Sequence, residues 1–173
     1  LAYDELLANQ LALFIVRGRQ RSRRGRVISG DGSLRERLNA VLPFALTASQ
    51  RTAISEITAD MGDPSRMLRL LQGDVGSGKT LVALMSMLVA AEQGSQSALM
   101  APTEILARQH FATIEPLAQK IGVEVTLITG RDKGKRREAL VDGLKSGETK
   151  IVIGTHAIFQ DDVAFKDLAL VVV

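Results

Sequence analysis

Residues 67–80, MLRLLQGDVGSGKT, decide how this sequence is read. The run 67–71 is apolar except for Arg69 and predicts a strand, Gly73, Gly76 and Gly78 predict a tight loop, and Lys79 and Thr80 open an apolar helical stretch. Gly73-Asp74-Val75-Gly76-Ser77-Gly78-Lys79-Thr80 matches G-x-x-x-x-G-K-[ST] at every fixed position, in the strand-loop-helix context that the motif needs. Glycines let the backbone curl until its amides face phosphate oxygens, and the helix that follows points its positive N-terminus at the same anion. Lys79 would then neutralise the β- and γ-phosphates of a nucleotide and Thr80 would hold Mg²⁺, which makes these two the candidate catalytic pair. With glycine at about 7% of residues, chance produces the full pattern in well under roughly one chain of this size in a hundred. A second cluster, Gly130-Arg131-Asp132-Lys133-Gly134-Lys135-Arg136, has the wrong spacing and ends in arginine.

Working outward, residues 48–61 predict a helix closed by Gly62 and Pro64. Strands are expected over 98–100, 123–128, 150–153 and 168–173, the last of them central and buried, with helices over 79–92, 103–120 and 134–144 between them. Apolar strands alternating with helices define an α/β fold, a parallel sheet with helices on both faces that binds ligands at the carboxyl ends of its strands. The chain contains no internal repeat.

The 173 residues, 46% hydrophobic, suffice for one compact domain and a modest extension. Residues 1–42 read as that extension: a helix over 4–20, an Arg-, Gly- and Ser-rich loop over 22–33, and a short helix through Leu42 that Ser33 can cap. A boundary falls near Pro43, and 43–173 form the nucleotide-binding lobe. Net charge is only +3, yet Arg17, Arg19, Arg21, Arg23, Arg24 and Arg26 fall together with no acid among them, which suits either a polyanion or a solvated linker. Aromatic residues are 3% of the chain, which argues against a surface that stacks bases on rings and leaves phosphates as the expected nucleic-acid contact. The absence of cysteine excludes disulfides and thiolate zinc sites, and His110 and His156 are too few and too far apart for a zinc site of their own. With no long apolar run and no signal-peptide pattern, a soluble intracellular protein without membrane contact is expected.

The P-loop does not by itself separate kinases, GTPases, transporters and helicases, so the flanking residues decide. Leu46-Thr47-Ala48-Ser49-Gln50 resembles the adenine-reading motif of superfamily 2 helicases, with Gln50 in the reading position; the same residues spell a T-x-x-Q capping box at a helix start. Ala101-Pro102-Thr103-Glu104-Ile105-Leu106 is similar to the DNA-backbone motif that follows a strand in that family, although Thr103 also reads as a helix cap and Glu104 as a first-turn acid. Thr129-Gly130, with Arg131 beside it, and Gly154-Thr155-His156 end two further strands and match two more positions where the family touches the tracking strand. A strand-end glycine alone is usually structural, and it is the ordered series that carries the resemblance. The spellings GDVGSGKT, MAPTEILARQH and IGTHAIFQDDVAF narrow the likeness to bacterial, cytoplasmic members of superfamily 2 that remodel stalled forks and branched DNA in recombination and repair, with transcription-repair coupling translocases as the alternative. The resemblance covers most of 40–173 and implies ATP and Mg²⁺ as cofactors, branched DNA as partner through its phosphates, and a RecA-like lobe.

The chain begins at Leu1 and ends in an apolar run, and is read as a piece of a longer protein. The family likeness then implies an acidic Asp-Glu-x-His box just after Val173, a wedge domain before Leu1 and a second RecA-like lobe that supplies an arginine finger. On that reading the piece alone binds nucleotide weakly and turns over essentially none. The basic segments 17–26 and 131–137 would add phosphate contacts. A P-loop GTPase would show a guanine-reading N-K-x-D motif, and none occurs. A docking module with a vestigial nucleotide site is the non-enzymatic alternative, against which the intact Lys79-Thr80 pair argues.

Overall fold

The computed structural model describes Leu7 and residues 24–173. The helix expected over 4–20, Leu7 apart, and Arg17, Arg19, Arg21 and Arg23 lie outside the described residues. The elements are α1 (Ser33–Val41), α2 (Ala48–Met61), α3 (Lys79–Glu92), β1 (Gln96–Met100), α4 (Glu104–Lys120), β2 (Val125–Ile128), α5 (Gly134–Ser146), β3 (Ile151–Gly154), a 3₁₀ turn (His156–Phe159) and β4 (Leu168–Val172). The four strands form one parallel sheet in the order β2-β3-β1-β4. No helix among the described residues is long and apolar enough to cross a membrane.

Alternate strand residues feed two cores. Leu99, Ile151, Ile153 and Leu170 face α3, α4 and the α1–α2 pair, while Ala98, Val152 and Ile128 face α5 and the 3₁₀ turn, with Leu144, Ala157 and Ile158 filling that side. Both faces of the sheet are therefore covered, as the near-continuous apolar strands require. Helix α3 lies at the centre: every residue from Leu81 to Ala91 is buried, and each fully buried Leu or Met contributes roughly 1.5–3 kcal/mol. Its one polar interior residue, Ser86, donates its hydroxyl to the Val82 carbonyl at 2.9 Å. Among the described residues, no buried side-chain polar atom lacks a hydrogen-bond partner.

Three expectations need correction. Residues 67–71 are extended but join no ladder: Met67 and Leu71 touch the core, whereas Leu68 and Leu70 are 71% and 84% exposed. A strand needs a neighbour at hydrogen-bonding distance, and here a trough of about 810 Å³, lined by Met67, Leu68, Ala169 and Val171, separates the segment from β4. For the same reason β4 is not central; among the described residues it pairs only with β1, and Val171 is 44% exposed. Ser33 does not cap α1, because Gly32 occupies the cap at φ 87° and Ser33, already helical, donates its N–H and hydroxyl to Asp31.

The segment 24–42 packs on the lobe across the position of Pro43. Leu38 is fully buried and Ile28 nearly so, in the same core as α3. Three polar ties accompany them. Glu92, at the end of α3 with no exposed side-chain surface, accepts the N–H groups of Gly32 and Arg35 at 3.0 Å and pairs with the Arg35 guanidinium at 3.1 Å. Gln93 accepts the Ser29 N–H at 2.8 Å. Arg26 forks onto Asp167, the residue before β4, and donates to Ser95 at 3.0 Å. The guanidinium, followed by the Ser95 hydroxyl, holds the Asp167 carboxyl at a pKa of about 2.

Candidate nucleotide site and the strand-end loops

The P-loop keeps its path through glycine. Gly76 and Gly78 sit at φ 81° and 83°, where a side chain is strained, and a Cβ on Gly78 would lie 2.4 Å from Nε2 of Gln50. Gly78 caps α3, so that Lys79 and Thr80 are the first residues of the buried helix, and Ser77 N–H closes the loop on the Asp74 carbonyl at 3.2 Å. Gly73 approaches the Ser77 hydroxyl closely, and Val75 stands fully exposed at the loop's tip. The Lys79 ammonium is folded back onto the carbonyls of Gly73 and Asp74 at 2.6 and 2.7 Å. Beside the loop lies a cavity of about 370 Å³ whose walls include Lys79, Thr80, Met100 and His110.

Gln50 ties this loop to α2. Thr47 and Gln50 form the capping box that their spacing spells, with Thr47 N–H donating to Oε1 at 2.9 Å and Gln50 N–H to the Thr47 hydroxyl at 3.2 Å. The amide nitrogen of the same side chain donates to the Ser77 carbonyl at 2.9 Å. One side chain thus fixes a helix start and the phosphate loop together. Its Nε2 keeps a second hydrogen available for a ligand.

Parallel registry brings the other candidate residues to one end of the sheet. Gly154 pairs with Met100 on one side and Ile128 on the other, so the loops after β1, β2 and β3 leave side by side. Gly154 is glycine for want of space, since a Cβ would lie 2.1 Å from the Ile128 carbonyl oxygen. After β1, Pro102 and Thr103 are exposed, Thr103 caps α4 by accepting the Leu106 N–H at 3.3 Å, and Glu104 pairs with Arg108 at 2.8 Å and Arg131 at 3.1 Å. After β2, Gly130 and Arg131 are exposed at the tip of a turn that Asp132 closes by accepting the Thr129 N–H at 2.8 Å. After β3, Thr155 is buried and caps the 3₁₀ turn, and His156 is exposed, with no hydrogen-bond or ion-pair partner among the described residues. Sequence reasoning passed over Asp132, Glu92 and Arg137, whose roles depend on residues distant in the chain or across a turn. No group of three His, Asp or Glu that could hold a metal occurs among the described residues.

A sheet of this order, a P-loop at its ligand-binding end and three exposed strand-end loops beside it are the parts of a helicase motor lobe, and the DEAD/DEAH box helicase model matches residues 47–173. The chain belongs to the DEAD/DEAH box helicase family, and with that goes nucleotide binding. Within it the chain is similar to the ATP-dependent DNA helicase RecG: it is 45% identical over all 173 residues to the protein of Pasteurella multocida, covering 25% of that protein, and 54% identical over 131 residues to that of Bacillus subtilis, covering 76% of this chain and 19% of that one. It superposes with a TM-score of 0.89 on the structure of RecG bound to a three-way DNA junction, at 43% identity over 98% of this chain and 23% of the other. A hypothetical ATP-dependent RNA helicase from Sulfolobus tokodaii, at 19% identity and a TM-score of 0.50, shares the fold alone. The chain spans about a quarter of the length of the curated relatives it matches.

Proposed function

We propose that this chain is the first RecA-like, ATP-binding lobe of a bacterial, cytoplasmic DNA helicase that remodels branched DNA during recombination and repair. The observation that carries the reading is the P-loop at the carboxyl end of a parallel sheet, edge to edge with three exposed strand-end loops, in a chain alike to RecG over its whole length. The loop fits a nucleotide: glycines hold a path no side chain would tolerate, and the first residues of a long buried helix face the site. Lys79 would exchange two neutral carbonyls for phosphate oxygens, Thr80 would supply a hydroxyl ligand to Mg²⁺, and Gln50 would read adenine with its free donor. Bound with the metal, ATP supplies the phosphoryl-transfer energy that drives translocation.

Residues Pro102, Thr103, Glu104, Gly130, Arg131, Gly154, Thr155 and His156 would form the face along which a DNA strand runs, touched mainly through its phosphates. In the full-length protein a wedge domain and a second lobe would complete the machine. Hydrolysis needs a carboxylate to orient the attacking water and a cation against the transferred phosphoryl group. The described walls of the cavity beside the P-loop contain no Asp or Glu, and their one arginine, Arg69, is paired with Glu56 and Asp60. This chain alone therefore binds nucleotide and gives no steady-state ATP hydrolysis above background; turnover from the purified chain would overturn that statement.

Calorimetry with Mg-ADP and Mg-GDP tests the site directly. Binding that prefers ADP and weakens at least about tenfold in Lys79→Ala is the expected outcome. Equal affinity for both bases would remove Gln50's role, and binding indifferent to Lys79 would remove the P-loop's.

A further inference from the structure

The basic segment 131–137 separates into two kinds of residue. Its ion pairs are Arg131 with Glu104, Arg136 with Asp132 and Arg137 with Asp162, which leaves Lys133 and Lys135 as the cations without an ion pair among the described residues. Arg131 and Arg136 are about four-fifths exposed, whereas the Arg137 side chain is only 14% exposed. Arg137 lies in the first turn of α5 and reaches across to the loop after β3. Its Nε donates to Asp162 at 2.6 Å, and Nη2 donates to the other Asp162 oxygen and to Oε1 of Gln160, both at 2.8 Å, and to the Ala157 carbonyl at 3.3 Å. Ala157 belongs to the 3₁₀ turn that begins at His156. At its own end, α5 is tied to the turn after β2, because Arg136 pairs with the Asp132 carboxylate that also holds Thr129.

We propose that Arg137 is a positioning residue that locks the loop after β2 to the loop after β3, so that Gly130–Arg131 and His156 present their groups to one DNA strand at a fixed spacing. The inference rests on the reading of those loops as the DNA face, and it assigns Arg137 no phosphate of its own. Four donor contacts to one loop, made by a planar fork from a neighbouring element, define separation and orientation in a way that a lysine or a backbone turn would not. Asp162 is drawn below the usual carboxylate range by the same guanidinium, in keeping with a formed pair.

The two roles open to an arginine in a basic segment predict opposite behaviour in its partner. A guanidinium that contacts phosphate would be helped by removal of the competing carboxylate, so Asp162→Asn would tighten DNA binding, and loss of the arginine would reduce the salt slope by about 0.7 for a single strand. A guanidinium that aligns two loops loses its function in either variant. The experiment is fluorescence anisotropy with a fluorescein-labelled single-stranded oligonucleotide between about 50 and 200 mM salt, on wild type, Arg137→Met, Asp162→Asn and the double variant. Binding of mant-ADP with Mg²⁺ to each protein reports on the fold. The expected result is DNA affinity weakened roughly tenfold in both single variants and no further in the double, with an unchanged salt slope and unchanged mant-ADP affinity. Tighter binding by Asp162→Asn, or single variants at wild-type DNA affinity, would overturn the lock while leaving the DNA face standing. A wild-type chain that binds mant-ADP but no oligonucleotide would sink the DNA reading of the loops and the lock with it. Asp162 is half-exposed, so its variant keeps the test decisive should Arg137→Met fail to fold.

Discussion

Gly154 has no room for a methyl group: the nearest atom to its missing Cβ is a backbone oxygen of β2, which moves only if the sheet moves. Gly154→Ala should cost about 3 kcal/mol or more, read as a lower urea midpoint at unchanged slope. Its place at a strand end was visible in the spelling IGTH, but the reason for glycine was not, because Ile128 lies far away in sequence. Gln50 is the reverse case. Its capping box was fully legible from Thr47, three residues away, while its bond to Ser77 depends on how α2 lies against the P-loop. Glu92, unremarkable as a helix-end acid, is the carboxylate on which Gly32 and Arg35 converge. Removal of one member of a buried ion pair strands the other, so Glu92→Ala should destabilise the chain by about 3–5 kcal/mol in the same urea experiment.

At the scale of elements, the helices were nearly all readable and the strands were readable in part. Helix α3 runs over the expected 79–92, because a long apolar stretch opened by a glycine-rich loop leaves few alternatives, and α4 differs only in treating Thr103 as its cap. Residues 67–71 were not readable as they stand, since apolar composition predicts extension but pairing is decided by what lies alongside. The segment 24–42 is held by a core residue and by charge, and each makes a separate prediction. Leu38→Ala should cost about 2–5 kcal/mol, because the side chain is fully enclosed between the extension and the lobe. The Arg26–Asp167 tie gives a pH dependence whose sign is fixed: the folded carboxyl titrates at about 2, below its ordinary 3.8, so its stabilisation is complete above the ordinary value and is lost as pH falls through the folded one. The stability difference between wild type and Asp167→Asn should hold steady above about pH 5 and shrink below about pH 4, as followed by thermal melts across that range.

At the scale of the whole molecule, the sheet is well protected at its middle and ends, among the described residues, in two edge strands. β3 and β1 each have two strand neighbours, whereas among the described residues β2 and β4 have one each. Amide exchange should follow that order, slowest in β3 and β1 and fastest along the outward-facing amides of β4. The α/β class, the parallel sheet and the position of the P-loop were all legible, because they follow from alternation and from a motif whose chemistry demands its context. Strand order was not, since β2, the second strand after the P-loop along the chain, lies at the far side of the sheet from β4, and nothing in a local pattern states which strands become neighbours.

The trough between β4 and residues 67–71 bears on how the protein behaves in a tube. Its lip carries Val171 and Val173, 44% and 85% exposed, along a row of backbone groups with no ladder partner among the described residues, and Leu68 and Leu70 face solvent across from it. Such an edge is a template for another chain's edge, so at high concentration the protein should self-associate and then precipitate, first as a reversible rise in light scattering. A lysine placed at Val171 interrupts the apolar rim without entering the core, and Val171→Lys should raise the concentration at which scattering begins.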